Sequence, residues 1–127
     1  MQAKDKALLA AEAAHGKKAL DIVLLDMDQL TVVCDYFLLC SGNSRTQVQA
    51  IADAVLESLE KTSGRKLRIE GYEGARWILI DAGDVVAHIF HEETRRFYDL
   101  ERLWGDAEKL IYDPEVAHVE EGLPQIT

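Results

Sequence analysis

Apolar and polar positions along this chain alternate between two periods, and the switches between them mark the elements. AKDKALLAAEAA (3–14) consists of strong helix formers and is followed by Gly16, so a first helix ending there is predicted. DIVLLDM (21–27) and YFLLC (36–40) are short, almost continuous apolar runs, the pattern of strands covered on both faces, and DQLTVVCD (28–35) connects them. SGNS (41–44) breaks the second strand and opens a helix. Ser44 and Gln47 have capping-box spacing, and Val48, Ile51, Ala52, Val55, Leu56 and Leu59 form an apolar stripe that ends before Gly64.

KLRIEG (66–71) reads as a third strand, and the strand–helix–strand order predicts a right-handed crossover between parallel strands. WILID (77–81) and DVVAHIF (84–90), either side of Ala-Gly, predict an antiparallel hairpin. EETRRFYDLERLW (92–104) returns to helical spacing with Phe97, Leu100, Leu103 and Trp104 on one side, and DAEKLIYD (106–113) is expected to add a further helical turn. The expected fold is a single α/β domain over residues 1–113, with a mixed sheet of about five strands flanked by helices. Residues 114–127, which lack a long periodic face, are expected to be an acidic, flexible tail.

Composition narrows the function classes. The chain has 127 residues, 48% of them hydrophobic and 29% charged, which is globular composition for one domain. Its formal net charge is −9, of which −3 falls on residues 1–98 and −6 on residues 99–127. A nucleic-acid module needs clustered Lys and Arg to displace counterions, so this balance argues against one and favours a basic partner. KTSGRKLR (61–68) is locally basic, but cations at a helix C-terminus also complement the helix dipole. The first 20 residues lack the apolar core of a signal peptide, and no run approaches the roughly 18 apolar residues of a spanning helix. A cytoplasmic protein with Cys34 and Cys40 as reduced, buried thiols is therefore expected.

Two groups of residues raise the question of chemistry. Asp26-x-Asp28 ends the first strand and Ser41-Gly42-Asn43-Ser44 opens a helix. Paired carboxylates hold magnesium and helix starts bind phosphate, so a nucleotide-binding or nucleotidyltransferase-like enzyme is the alternative reading. Against it, the order is Ser-Gly rather than Gly-Ser, the next strand offers only Glu70, and the lysine of a phosphate-binding loop is missing. His88 and His91, three apart before Glu92 and Glu93, sit at a strand end where a ligand pair is not fixed on one face. His88 shares the parity of Val86 and Phe90, and a buried histidine with a hydrogen-bond partner is the expectation. No metal or other cofactor is expected.

The strings DYFLLCSGNSRTQVQAIAD (35–53), EG (70–71) ahead of Trp77, DAGDVVAHIF (81–90) and RRFYDLERLW (95–104) resemble the ribosomal silencing factor, or Iojap-related, family. The resemblance runs from about Ala19 to Trp104. It implies a core like that of nucleotidyltransferases without the catalytic acids, and an adaptor rather than an enzyme. The implied partner is the L-fourteen-family protein of the large ribosomal subunit, whose occupation blocks joining of the small subunit and represses translation. It further implies that the hairpin and the following helix form the binding face. Trp77 would be the apolar anchor, with Asp81, Asp84, His88, Tyr98 and Glu101 as polar contacts and Arg76 and Glu70 in second rank. Asp35, Tyr36, Ser41, Gly42 and Gln47 match the family pattern as architecture. A homodimer of the unbound protein is left open, and no sequence-specific nucleic-acid binding or membrane attachment is expected.

Overall fold

The computed structural model describes residues 1–114. Its elements in chain order are α1 (Ala3–Gly16), β1 (Leu20–Asp26), β2 (Tyr36–Gly42), α2 (Arg45–Ser63), β3 (Arg68–Glu70), β4 (Trp77–Asp81), β5 (Val85–His91), α3 (Glu92–Tyr98), α4 (Leu100–Leu103) and β6 (Glu108–Ile111). They build one six-stranded mixed sheet in the order β3-β4-β5-β2-β1-β6, in which only β5 and β2 pair in parallel.

Strand alternation gives the sheet two apolar faces with different covers. Leu24, Leu38, Cys40, Ile78, Ile80 and Ile89 point to the face under α1 and α2. There they meet Val48, Ile51, Val55 and Leu59 of α2 and the fully buried Ala7, Ala10, Ala11 and Ala14 of α1. Val23, Leu25, Phe37, Leu39, Trp77, Leu79, Val86 and Phe90 point the other way, where Leu100, Trp104 and Ala107 of the α3–β6 segment and Met27 and Cys34 of the β1–β2 connection join them. Among the described residues no long helix lies over this face, and that positions the candidate site.

Local chemistry accounts for the joints. Ser44 caps α2 by accepting the Gln47 N–H at 3.1 Å, and Gln47 Oε1 reaches back to the Asn43 N–H at 2.8 Å. The Gln47 amide also donates to the Lys17 and Lys18 carbonyls at 3.3 and 3.0 Å, tying α2 to the α1–β1 connection. Gly64 closes α2 with φ +70. Gly71, at φ +80, has a second constraint: a Cβ there would lie 2.3 Å from the Trp77 carbonyl oxygen, so only glycine lets the 71–76 turn close against β4.

Three expectations change. Residues 108–111 form β6 instead of a helical turn, because β1 has a free edge and Leu110 pairs with Leu24 while Lys109 and Ile111 face outward. The sheet therefore has six strands. β3 runs in the same direction as β2 but is not beside it, since β4 and β5 lie between them. The 92–104 helix is broken at Asp99, whose φ of +49 resets the helical phase. In consequence Leu100 is buried, while Phe97 and Leu103 are exposed. The tail expected from residue 114 onward lies, apart from Pro114, outside the described residues.

A candidate protein-docking face

The site begins with how β4 and β5 pair. Trp77 lies opposite Phe90 and Leu79 opposite His88, all on the face away from α1 and α2. The Trp77 indole Nε1–H donates to His88 Nδ1 at 3.0 Å. An N–H donor there requires His88 Nδ1 to be the unprotonated acceptor, which places the ring proton on Nε2. His88 is 6% exposed, and burial pushes its imidazole down to about 4, so it is neutral near pH 7.

Aromatic rings extend from this pair in both directions. Phe37 meets His88 edge-on at 4.6 Å and Trp104 at 6.1 Å. Trp77 lies 5.0 Å from Phe90 and 5.0 Å from Tyr98, and Tyr98 meets Phe97 at right angles at 5.1 Å. The Phe90 end is buried, whereas Phe97 is 80% exposed, Leu103 70% and Tyr98 53%. A shallow cleft of about 380 Å³ opens between β4 and α3, lined by Arg76, Trp77, Glu93, Thr94, Phe97 and Tyr98. Aromatic surface beside an arginine, held on a sheet, is the composition of protein–protein hot spots.

The expected site residues divide accordingly. Trp77, Tyr98 and Arg76 converge on this cleft. His88 lies beneath it as the acceptor for Trp77 and has no exposed polar atom to offer a partner, which corrects its expected role as a surface contact. Asp84 is also turned away: its carboxylate pairs with Lys6 of α1 at 3.1 Å, on the helical side of the sheet. Asp81 stands at the far end of β4, accepting the Gly83 N–H at 2.8 Å, and Glu70 lies on the edge strand opposite Leu79. Glu101 faces Arg95, which donates to it from Nε at 3.3 Å and Nη2 at 2.7 Å. Burial alone would raise the Glu101 carboxyl, but the hydrogen bonds and charge of Arg95, with Lys109 adding, hold it below its ordinary range.

Sequence reasoning missed Phe97 and Leu103 as exposed residues and Arg95 as a buried one. Adjacent aromatics at 97–98 carried no decisive signal, because successive helical positions can share a buried face, as Ile51 and Ala52 of α2 do. Arg95 carried none, since its partners lie on three different elements.

The two features that raised the enzyme alternative do not come together in the fold. Asp26 pairs with Tyr36 and Leu20 with Ser41, so Asp26-x-Asp28 and the Ser41-Gly42 turn sit at opposite ends of β2, about 16 Å apart at strand rise. Asp26 accepts the Asp28 N–H at 3.1 Å, and Ser41 Oγ accepts from Arg95 at 2.9 Å. A Cβ on Gly42 would meet Val48 at 3.1 Å, so this glycine serves close strand–helix packing. His91 caps α3 by accepting the Glu93 N–H at 3.3 Å, separately from His88. Both cysteines are free and buried, and burial foremost raises Cys34 to about 11 and Cys40 to about 12, which removes them as nucleophiles near pH 7.

A family model described as "Ribosomal silencing factor during starvation" matches residues 1–125. The chain belongs to the ribosomal silencing factor family. It is 47% identical over 107 residues to ribosomal silencing factor RsfS of Bacillus subtilis, covering 84% of this chain and 91% of that one. It is 35% identical over 101 residues to the chloroplastic protein Iojap of Zea mays, covering 80% of this chain and 44% of that one. A crystal structure of a protein from Chromobacterium violaceum superposes with a TM-score of 0.78 at 38% identity, covering 83% of this chain and 88% of that one. Among the described residues no helix is long and apolar enough to cross a membrane.

Proposed function

We propose that this chain is a non-enzymatic adaptor that docks on the large ribosomal subunit, on its L-fourteen-family protein, and by its bulk keeps the small subunit from joining. Translation is thereby repressed, in the bacterial cytoplasm where the ribosomes are. The observation that carries this reading is the exposed Phe97 and Tyr98 beside the half-buried Trp77, on the sheet face that no long helix among the described residues covers. The name of the family and of the Bacillus subtilis relative, ribosomal silencing factor, supports the ribosome as the place where that surface works.

Charge supports a protein target over bare RNA. A chain with net charge −9 is repelled by phosphate and attracted to a basic ribosomal protein set among it. Subunit joining requires two surfaces to reach contact distance, so a single domain seated in the gap suffices and no bond need be made or broken. Trp77 is the proposed anchor, with Tyr98 and Arg76 beside it and Asp81, Glu70 and Glu101 toward the rim. A second copy of the chain would compete for the same face.

Sedimentation with purified large subunits, alongside capture by the isolated L-fourteen-family protein, tests the reading. Co-sedimentation weakened about tenfold or more on Trp77→Ala or Tyr98→Ala is the expected result. A folded chain that binds neither target at low salt contradicts it, and affinity that falls as the chain is concentrated would identify self-association on this face.

A further inference from the structure

We propose that Arg95 is the positioning residue of the docking face, latching the α3–α4 segment to the sheet in the one orientation that presents Phe97, Tyr98 and Leu103 beside Trp77. This rests on the functional reading above. α3 has seven residues and α4 has four, joined at Asp99 with φ +49. Helices this short do not hold themselves together in water, so their placement must come from tertiary contacts. Yet α3 buries only Arg95 and α4 only Leu100.

The Arg95 side chain supplies what apolar packing does not. It is 8% exposed, and its guanidinium reaches three other elements. Nη1 donates to Ser41 Oγ of β2 at 2.9 Å and to the Asp21 carbonyl of β1 at 2.7 Å. Nε and Nη2 hold both carboxylate oxygens of Glu101 in α4. The receiving strand is shaped for this contact: β1–β2 register shifts between Leu20 and Val23, and Asp21 adopts φ +48.

A buried guanidinium differs from a buried leucine in what it forbids. Apolar contacts survive a small rotation or slide, whereas losing Glu101 leaves a buried charge uncompensated and losing Ser41 or the Asp21 carbonyl leaves a buried donor unpaired, so the bonds select one placement. The exposed side chains lie immediately beyond the ends of the latch. Phe97 and Tyr98 follow Arg95 by two and three residues, and Leu103 follows Glu101 by two. The serine that suggested phosphate chemistry thus serves as an anchor point for the docking segment.

The test compares the full wild-type chain with Glu101→Gln and Arg95→Met, using amide hydrogen exchange and large-subunit binding per folded molecule. In Glu101→Gln, amides of residues 92–104 should exchange about tenfold faster with α2 and β5 unchanged, and subunit affinity should fall about tenfold, the scale of a coupled contact. Phe97→Ala should weaken the wild type but add little in the Glu101→Gln background, and Glu101→Asp should restore part of the affinity. A merely structural role would leave the Phe97→Ala effect additive. If Arg95→Met does not fold, Ser41→Ala replaces it. Unchanged exchange and affinity in Glu101→Gln, or full additivity with Phe97→Ala, overturns the latch. A wild-type chain that fails to bind subunits overturns the functional reading instead, and the exchange pattern still judges the latch separately.

Discussion

The indole N–H of Trp77 is held by Nδ1 of His88, 3.0 Å away, beside the exposed rings of Phe97 and Tyr98. The bond fixes the ring at one edge while Phe90 and Tyr98 pack 5.0 Å from it on other sides. The anchor of the candidate face is therefore oriented before any partner arrives, which reduces the ordering cost of binding. Trp77→Phe would keep an aromatic ring and leave His88 Nδ1 buried without a donor. Stability should fall by about 1–2 kcal/mol, measured by urea denaturation. An unchanged midpoint would mean that the hydrogen bond contributes nothing.

His88 also gives the fold an acid dependence. Its folded pKa of about 4 lies below the ordinary 6.5, so the unfolded chain binds the extra proton first. Its contribution is fully present above about pH 6.5 and declines as pH falls toward 4, by about 3 kcal/mol across that window. Imidazole signals followed by NMR should show His88 still neutral at pH 5.5, and stability in His88→Phe should vary less with pH over this range. Glu101 acts at lower pH: its depressed carboxyl loses its contribution only as pH falls below the ordinary glutamate range.

Gly71→Ala is expected to be among the most damaging small substitutions. The added methyl would lie 2.3 Å from the Trp77 carbonyl at a backbone φ of +80. Strain of both kinds should cost about 2–4 kcal/mol, visible as a lower melting temperature. Gly74→Ala, where a Cβ meets nothing within 4 Å, should behave like the wild type.

Exposed aromatics provide the complementary case. Phe97→Ala and Tyr98→Ala remove little buried area, so unfolding midpoints should stay within about 0.5 kcal/mol of wild type. Binding to large subunits should weaken by about 1–2 kcal/mol for each, as expected of side chains at the centre of an interface. Titration calorimetry or sedimentation would report both values. Normal affinity in both variants would move the interface elsewhere on the sheet.

What the sequence made legible follows the range of the interactions involved. Helices α1 and α2, strands β1, β2, β4 and β5, the Ser44 cap and the Gly64 terminus all depend on residues close in the chain, and all were readable from spacing. β6 was not, because its strand identity comes from the free edge of β1 some 85 residues earlier, by the Leu24–Leu110 pairing. The break at Asp99 was hidden by helical spacing on both sides of it. For the candidate face, Trp77, Tyr98 and Arg76 were visible through the family resemblance, and their convergence on one cleft is a product of the fold. The pairing of Asp84 was not legible, since its partner, Lys6, lies 78 residues away in α1.

Subunit joining itself is the measurement closest to the central claim. Large subunits are mixed with increasing amounts of the chain, small subunits are added, and joined ribosomes are followed by light scattering or gradient sedimentation. The account predicts a dose-dependent loss of joined ribosomes, with Tyr98→Ala requiring about tenfold more protein for the same effect. Undiminished joining at a concentration that saturates the large subunits would contradict it.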